Sequence, residues 1–406
     1  MQKKEKQEKW TKRYHKVVRD IAAVFIAPYA RWKYGITVDR FEQSGKRPYL
    51  VVMNHQTAFD QFFIGMAFKG AVYYLASEDI FSNGWVSSLI RWLVAPIPIK
   101  KQTLDLQAVK NCIRVAKEGG TIAIAPEGNR TYSGKTEYMN PSIAKLVRKI
   151  RLPIAIFRIE GGYGVQPRWS DVVRKGKMHA YVARVIEPEE YAAMSDDELF
   201  EQIREGLDVN EAKADGTFYH KKSAEYLECV MYVCPYCGLT EFESHGDLIE
   251  CKKCGRKVRY LPTKELQGVG FDFPFQFVAQ WYEHQRDFIN ALDTGAYLDT
   301  PLYCDTASLS EVIVYKKKRP IWKDASIRLY GDRIIIRSAD GEEKVFPFEE
   351  TSAVTVLGRN KLNIYHDKVI YQLKGGKRFN AVKYVNLFHR HMNICRGDQD
   401  GKFLGL

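Results

Sequence analysis

The run Asn54-His-Gln-Thr-Ala-Phe-Asp60 follows directly on the apolar segment Tyr49 to Met53, which places a histidine and a carboxylate at the mouth of a strand. A neutral imidazole can take a proton from a hydroxyl near neutral pH when a neighbour fixes its tautomer and balances the cation that forms. Asp60 is spaced to be that neighbour of His55: if Thr57 caps a helix starting at Ala58, the backbone folds back and brings the carboxylate toward the ring. The same residues also fit a capping box, in which Asp60 bonds to a backbone amide instead. Spacing alone leaves both readings open.

A second group of reactive side chains emerges from another apolar run. Thr121 to Ala125 leads into Pro126-Glu-Gly-Asn-Arg130, so Glu127, Gly128 and Arg130 leave one strand end together. Glycine lets a backbone approach a ligand, and an arginine fork can grip a phosphate in two places. Glu127, as an anion, is better suited to orienting Arg130 or accepting from a substrate hydroxyl. An exposed ion pair in a turn is the plainer alternative. Between these groups, the apolar, strand-like run Ala95-Pro-Ile-Pro-Ile-Lys-Lys101 ends in two cations that could add phosphate attraction, a solvated strand end being the plainer alternative.

Cys234-Pro-Tyr-Cys237-Gly238 and Cys251-Lys-Lys-Cys254-Gly255 are separated by 13 residues. Each pair can form a tight turn presenting two thiolates, and two such knuckles complete a tetrahedral zinc site. Four thiolates leave no open position, so the expected zinc is structural, in a zinc ribbon. Lys252, Lys253, Arg256, Lys257 and Arg259 would suit nucleic acid, but a structural or domain-docking role is the favoured reading.

The elements that must hold these groups can be read from periodicity. Tyr49 to Met53, Thr121 to Ala125, Leu152 to Ile159 and His179 to Ile186 read as strands, alternating with helices around 62–68 and 104–117. That order predicts an α/β domain with a central sheet, whose strand ends gather chemical groups. Tyr14, Val17, Val18, Ile21, Val24, Phe25, Tyr29 and Trp32 recur at helical spacing beside basic residues, as in a helix lying in a membrane interface. Packing on the protein's own core is the competing expectation. Trp85, Leu89, Ile90, Trp92 and Leu93 offer a second such segment. Beyond residue 308, strands are expected at Glu311–Tyr315, Ser326–Leu329, Arg333–Arg337, Lys344–Phe348, Ala353–Leu357, Lys361–Tyr365 and Lys368–Leu373, followed by a helix at 381–392. These amount to an antiparallel barrel plus helix.

The net charge is +13 over 406 residues, and eight Lys or Arg fall between Lys3 and Arg19. This field favours an anionic lipid surface or nucleic acid. The sequence has neither a run of about 20 apolar residues nor a secretory leader, so a cytoplasmic protein bound peripherally to the inner face of the cell membrane is expected. The metal-type use of four cysteines fits a reducing compartment.

Taken in order, these motifs resemble those of the glycerolipid acyltransferases, in particular bacterial 1-acylglycerol-3-phosphate acyltransferases. Asn54 to Asp60 matches the first signature and Pro98 to Lys101 resembles the second, with lysine replacing arginine. Pro126 to Arg130 matches the third except for Asn129, and Leu152 to Ile156 resembles the fourth. The resemblance implies transfer of a fatty acyl group from acyl-coenzyme A, or from acyl-acyl carrier protein, to a lysophospholipid hydroxyl. It makes His55 the base and Asp60 its orienter, with Lys101, Glu127, Gly128 and Arg130 around the acceptor phosphate. Glycerol 3-phosphate or another lysolipid as acceptor, lipid hydrolysis, and a nonenzymatic zinc-ribbon adaptor are the rival readings. The implied domains are 1–225 acyltransferase, 226–262 zinc ribbon, 263–304 helical connector and 305–406 similar to pleckstrin-homology or GRAM domains.

Overall fold

The computed structural model describes residues 8–99 and 105–397. Lys101, together with Lys100, lies outside the described residues.

The first sheet has seven strands: β1 (Ile36–Val38), β2 (Leu50–Met53), β3 (Val72–Ser77), β4 (Ile97–Ile99), β5 (Thr121–Ile124), β6 (Ile154–Glu160) and β7 (Met178–Ile186). Their order is β1-β7-β6-β2-β5-β3-β4. β2 lies in the middle, parallel to both β5 and β6. All four of its residues are buried, as an interior parallel strand covered on both faces requires. β7 runs antiparallel to β6 and parallel to β1.

Helices α1 (Arg13–Tyr34), α2 (Asp60–Ala67), α3 (Trp85–Val94), α4 (Leu106–Lys117) and α5 (Ser142–Ile150) belong to the same part of the chain. α5 buries Ile143, Ala144, Val147 and Ile150, the i, i+1, i+4, i+7 stripe of a helix laid on a core. α4 does the same with Ala108, Cys112 and Val115, and Asp105 caps it by accepting from the amides of Gln107 and Ala108. β1 and β3 were not anticipated, whereas β4 falls within the strand-like run Ala95 to Lys101. The expected helix at 62–68 begins at Asp60, and the residue at the cap position is Phe59 rather than Thr57.

By internal contacts the chain forms two compact units. One comprises Met1–Gly128, Met139–Glu160 and Met178–Val209; the other comprises Asn129–Tyr138, Gly161–Lys177 and Asn210–Leu406. The second unit contains the cysteine module. It is built from the hairpin β8 (Val233–Cys234) and β9 (Gly238–Leu239) and the antiparallel sheet β10 (Phe242–His245), β11 (Leu248–Cys251), β12 (Lys257–Tyr260) and β13 (Leu266–Gly268). The helix Val278–Asn290 is fastened to it: Trp281 Nε1 donates to Val233 O, and Gln285 accepts from the amides of Tyr232 and Val233.

The carboxyl-terminal strands are β14 (Tyr303–Glu311), β15 (Arg319–Leu329), β16 (Arg333–Arg337), β17 (Glu343–Pro347), β18 (Thr351–Leu357), β19 (Lys361–His366) and β20 (Val369–Gly375), followed by a helix at Val382–Cys395. The expectation of a strand at Glu311–Tyr315 is corrected: the strand ends at Glu311, and Tyr315 sits in a turn with φ +67°. The expected barrel is corrected as well. The order β17-β16-β15-β14-β20-β19-β18 is an open antiparallel sheet with β17 and β18 at opposite edges. Pro347 and Thr351 are nevertheless only four peptide units apart, so the two edges lie within roughly 15 Å of each other. The sheet therefore curls into a half-barrel.

Candidate active site

Asn54 ends β2 by continuing its ladder with a side chain. Its Nδ2 donates to Ile159 O and its Oδ1 accepts from Ile159 N, both at 2.8 Å, one residue beyond the Met53–Phe157 register of β2 and β6. Because the amide takes over the next rung, the backbone is free to turn away from the sheet, and His55 starts the loop that leads to α2.

Asp60 is fully buried. Its Oδ2 accepts from His55 Nδ1 at 2.7 Å and from Gln56 N at 2.7 Å. Its Oδ1 accepts from Thr57 Oγ1 at 2.7 Å and Thr57 N at 2.9 Å. The helix-start reading and the base-orienter reading therefore describe one carboxylate doing both. An ionised carboxylate only accepts, so His55 Nδ1 carries the proton and Nε2 keeps its lone pair. The His55 side chain is 26% exposed against 0% for Asp60, so the ring can meet a reactant while its partner stays dry.

Glu127 is also buried, and its Oε1 accepts the backbone N–H of His55 at 3.1 Å. β2 and β5 are parallel neighbours, so the residues after their carboxyl ends converge. Gly128 has φ +68°, the left-handed region that closes this turn. A Cβ there would meet nothing within 4 Å, so backbone conformation rather than crowding calls for glycine.

Arg130 falls in the second unit. Its carbonyl accepts from Arg168 Nη1 at 3.0 Å, and Arg168 Nη2 reaches Asn129 Oδ1 at 3.2 Å. The Arg168 guanidinium stacks on Tyr132, 4.0 Å from the ring centroid. Arg168, Asn54 and Thr57 were not singled out as site residues. Asn54 had a readable signal, a side-chain amide directly after an apolar strand, whereas Arg168 had none.

The Sγ atoms of Cys234, Cys237, Cys251 and Cys254 lie within 4.8 Å of one another. Gly238 and Gly255, one after each pair, have φ +71° and +70°, as tight knuckles need. The donor set and spacing are compatible with a closed tetrahedral ion.

α1 exposes Val24 (66%), Phe25 (72%) and Trp32 (78%), and α3 exposes Trp85 (76%) and Trp92 (58%). These side chains are therefore not spent on the protein's own core. Among the described residues no helix is long and apolar enough to cross a membrane.

Residues 35–160 match the Acyltransferase family model. This segment runs from just before β1 through β6 and contains His55, Asp60, Glu127, Gly128 and Arg130. Bacterial and plant 1-acyl-sn-glycerol-3-phosphate acyltransferases are among the proteins to which the chain is similar. The chain is similar to the 1-acyl-sn-glycerol-3-phosphate acyltransferase of Bacillus subtilis, with 21% identity over 136 residues, covering 34% of this chain and 65% of that protein. It is also similar to a chloroplastic enzyme of the same name from Brassica napus, with 21% identity over 214 residues, covering 50% of this chain and 58% of that protein. The chain thus spans less than two thirds of the length of these curated relatives. Among solved structures it is similar to the 1-acyl-sn-glycerophosphate (LPA) acyltransferase of Thermotoga maritima, with 22% identity, 48% of this chain and 78% of that chain covered, and a TM-score of 0.41. The cysteine module and the half-barrel lie outside the acyltransferase segment.

Proposed function

We propose that this chain transfers a fatty acyl group from a thioester, acyl-coenzyme A or acyl-acyl carrier protein, to the free hydroxyl of a lysophospholipid. The acceptor that fits best is 1-acylglycerol 3-phosphate, which gives phosphatidic acid. The observation that carries this reading is His55 Nδ1 held 2.7 Å from a fully buried Asp60 while the ring stays partly exposed. His55 Nε2 takes the proton of the acceptor hydroxyl as its oxygen attacks the thioester carbonyl. The tetrahedral intermediate collapses, the C–S bond breaks, and the imidazolium returns the proton to the departing thiolate. Asp60 holds the tautomer and balances the transient cation. No serine or cysteine nucleophile is needed, because the acceptor itself attacks.

In this reading Gly128, Arg130 and Lys101 shape the acceptor phosphate site. Glu127 sets the His55 loop through the His55 amide, in addition to any contact with substrate. Cys234, Cys237, Cys251 and Cys254 hold a structural zinc. The exposed apolar side chains of α1 and α3, with the basic amino-terminal stretch, bind an anionic membrane surface where the amphiphilic acceptor resides.

The test is a purified-protein panel of 1-acylglycerol 3-phosphate, other lysophospholipids and glycerol 3-phosphate against both thioester donors, with product detection. Acyl transfer by the wild type and its loss in His55→Ala support the proposal. Equal transfer by His55→Ala, or release of free fatty acid without an acceptor, overturns it.

A further inference from the structure

A second cluster of metal-ligating side chains sits on the half-barrel, away from the cysteine module in sequence and in the elements that build it. His391 and Cys395 are one turn apart on the Val382–Cys395 helix, and Glu349 lies in the short link between β17 and β18. Cys395 Sγ is 3.4 Å from His391 Nε2 and 3.7 Å from Glu349 Oε1. His391 Nε2 is 3.8 Å from the same carboxylate oxygen. With Zn–N, Zn–O and Zn–S bonds of ordinary length, the edges of a tetrahedral site are about 3.4–3.6 Å, so this triangle already has the size of one face of a coordination tetrahedron.

The imidazole is also oriented as a ligand. Its other nitrogen, Nδ1, is 3.3 Å from Thr294 Oγ1, and Thr294 is only 2% exposed. A hydroxyl accepting at Nδ1 leaves the Nε2 lone pair facing Cys395 and Glu349, the arrangement in which a ligating histidine is held by an outer partner. Phe348, next to Glu349, packs edge-on against Phe388 and lies 5.7 Å from the His391 ring, so the link is seated on the helix without help from an ion.

We infer that Glu349, His391 and Cys395 form a binding site for a divalent transition-metal ion, zinc by its mixed nitrogen, sulfur and oxygen donors, with a fourth position open. On binding, the Cys395 proton leaves to solvent as the Sγ–metal bond forms. The ion pins the β17–β18 link, which joins the two edge strands of the half-barrel, to the last turn of the carboxyl-terminal helix. Its role is that of a clasp on this unit and is independent of acyl transfer.

The experiment uses the full chain preloaded with one equivalent of zinc for the cysteine module, titrated with Co²⁺ and read by the charge-transfer and d–d bands of a single thiolate ligand. The wild type is expected to take up a further equivalent. Glu349→Gln, His391→Ala and Cys395→Ser are each expected to weaken that uptake at least tenfold, and Thr294→Val, acting through the outer partner, by about tenfold. Glu349 is largely exposed, so its variant reports on the site even if another variant folds poorly. Equal uptake by wild type, Glu349→Gln and His391→Ala overturns the inference. So does loss in Cys395→Ser alone, which marks an exposed thiol acting by itself. No uptake in the wild type also overturns it, leaving only a thiol-to-imidazole hydrogen bond.

Discussion

The backbone N–H of His55 donates to Glu127 Oε1 across 3.1 Å, so the glutamate that opens the loop after β5 fixes the residue that starts the loop after β2. This relationship separates two jobs for Glu127. A residue that positions His55 changes kcat, whereas one that only touches the acceptor changes its KM. Glu127→Ala is expected to lower kcat about 10- to 100-fold, the scale of a hydrogen bond to a charged group, with a smaller change in acceptor KM. Glu127→Gln retains an acceptor oxygen and is expected to recover most of that loss. A pure KM effect in steady-state kinetics refutes the positioning role.

Asp60→Asn leaves the side-chain volume almost unchanged but can turn an N–H toward His55 and stabilise the wrong tautomer. A loss of about 10³–10⁴ in kcat is expected, by the general logic of histidine–aspartate pairs. The amides of Gln56 and Thr57 also donate to this carboxylate, so the urea midpoint should fall too. Each buried donor left unsatisfied costs about 1–3 kcal/mol. Retained activity with lowered stability would mean that Asp60 serves only the turn.

The central strands and the His55–Asp60 approach were legible because they rest on local pattern: an apolar run, then polar residues spaced for a turn. The cysteine knuckles were legible for the same reason, their glycines taking the positive φ that the spacing demanded. β1, at three residues, is too short to show a period. Asn54 was readable only in part, since its exchange of two hydrogen bonds with Ile159 is set by the parallel register of β2 and β6. Arg168 was not readable at all: it meets backbone carbonyls 38 and more residues away, and such contacts leave no periodic trace. The open half-barrel escaped because strand count does not fix whether edges pair.

His15 offers a pH-dependent prediction for α1. It is buried against the Tyr73 hydroxyl at 3.1 Å, and burial, with Lys12 nearby, lowers its pKa below the ordinary value of 6.5. The unfolded chain therefore binds the proton more readily than the folded one. The contribution to stability is complete above about pH 6.5 and is lost as pH falls through the lower folded value. Denaturant midpoints should drop between pH 7.5 and pH 5, and the drop should shrink in His15→Gln. An identical pH slope in that variant excludes His15 as the source.

Removing the proposed zinc from the cysteine module should loosen the module without unfolding the unit around it. Ile249, Val258, Tyr260 and Trp281 share a buried core with the half-barrel, which supplies packing that an isolated zinc knuckle lacks. Chelation is expected to raise amide exchange in β8 to β11 by at least tenfold while β14 and β20 stay protected. Uniform exchange in both regions after chelation would show that the ion holds the whole unit.

The exposed face of α1 and α3 makes a prediction that separates adhesion from folding. Tyr14 stacks on Trp92 with ring centroids 5.5 Å apart, so the two helices are joined while Phe25, Trp32 and Trp85 remain outside. Inserting one such aromatic ring into a bilayer interface is worth up to about 1.5–3 kcal/mol, or roughly 10- to 100-fold in partition coefficient. Phe25→Ser and Trp32→Ser should therefore weaken sedimentation with anionic vesicles by up to those factors. Surface substitutions usually alter stability by only about 0.5 kcal/mol, so the denaturation midpoint should stay close to wild type. Added salt should weaken binding further, because the basic residues around Arg13 and Lys16 supply the screened part of the attraction. Unchanged vesicle binding in the double variant, with the fold intact, would mean that this face does not insert into lipid.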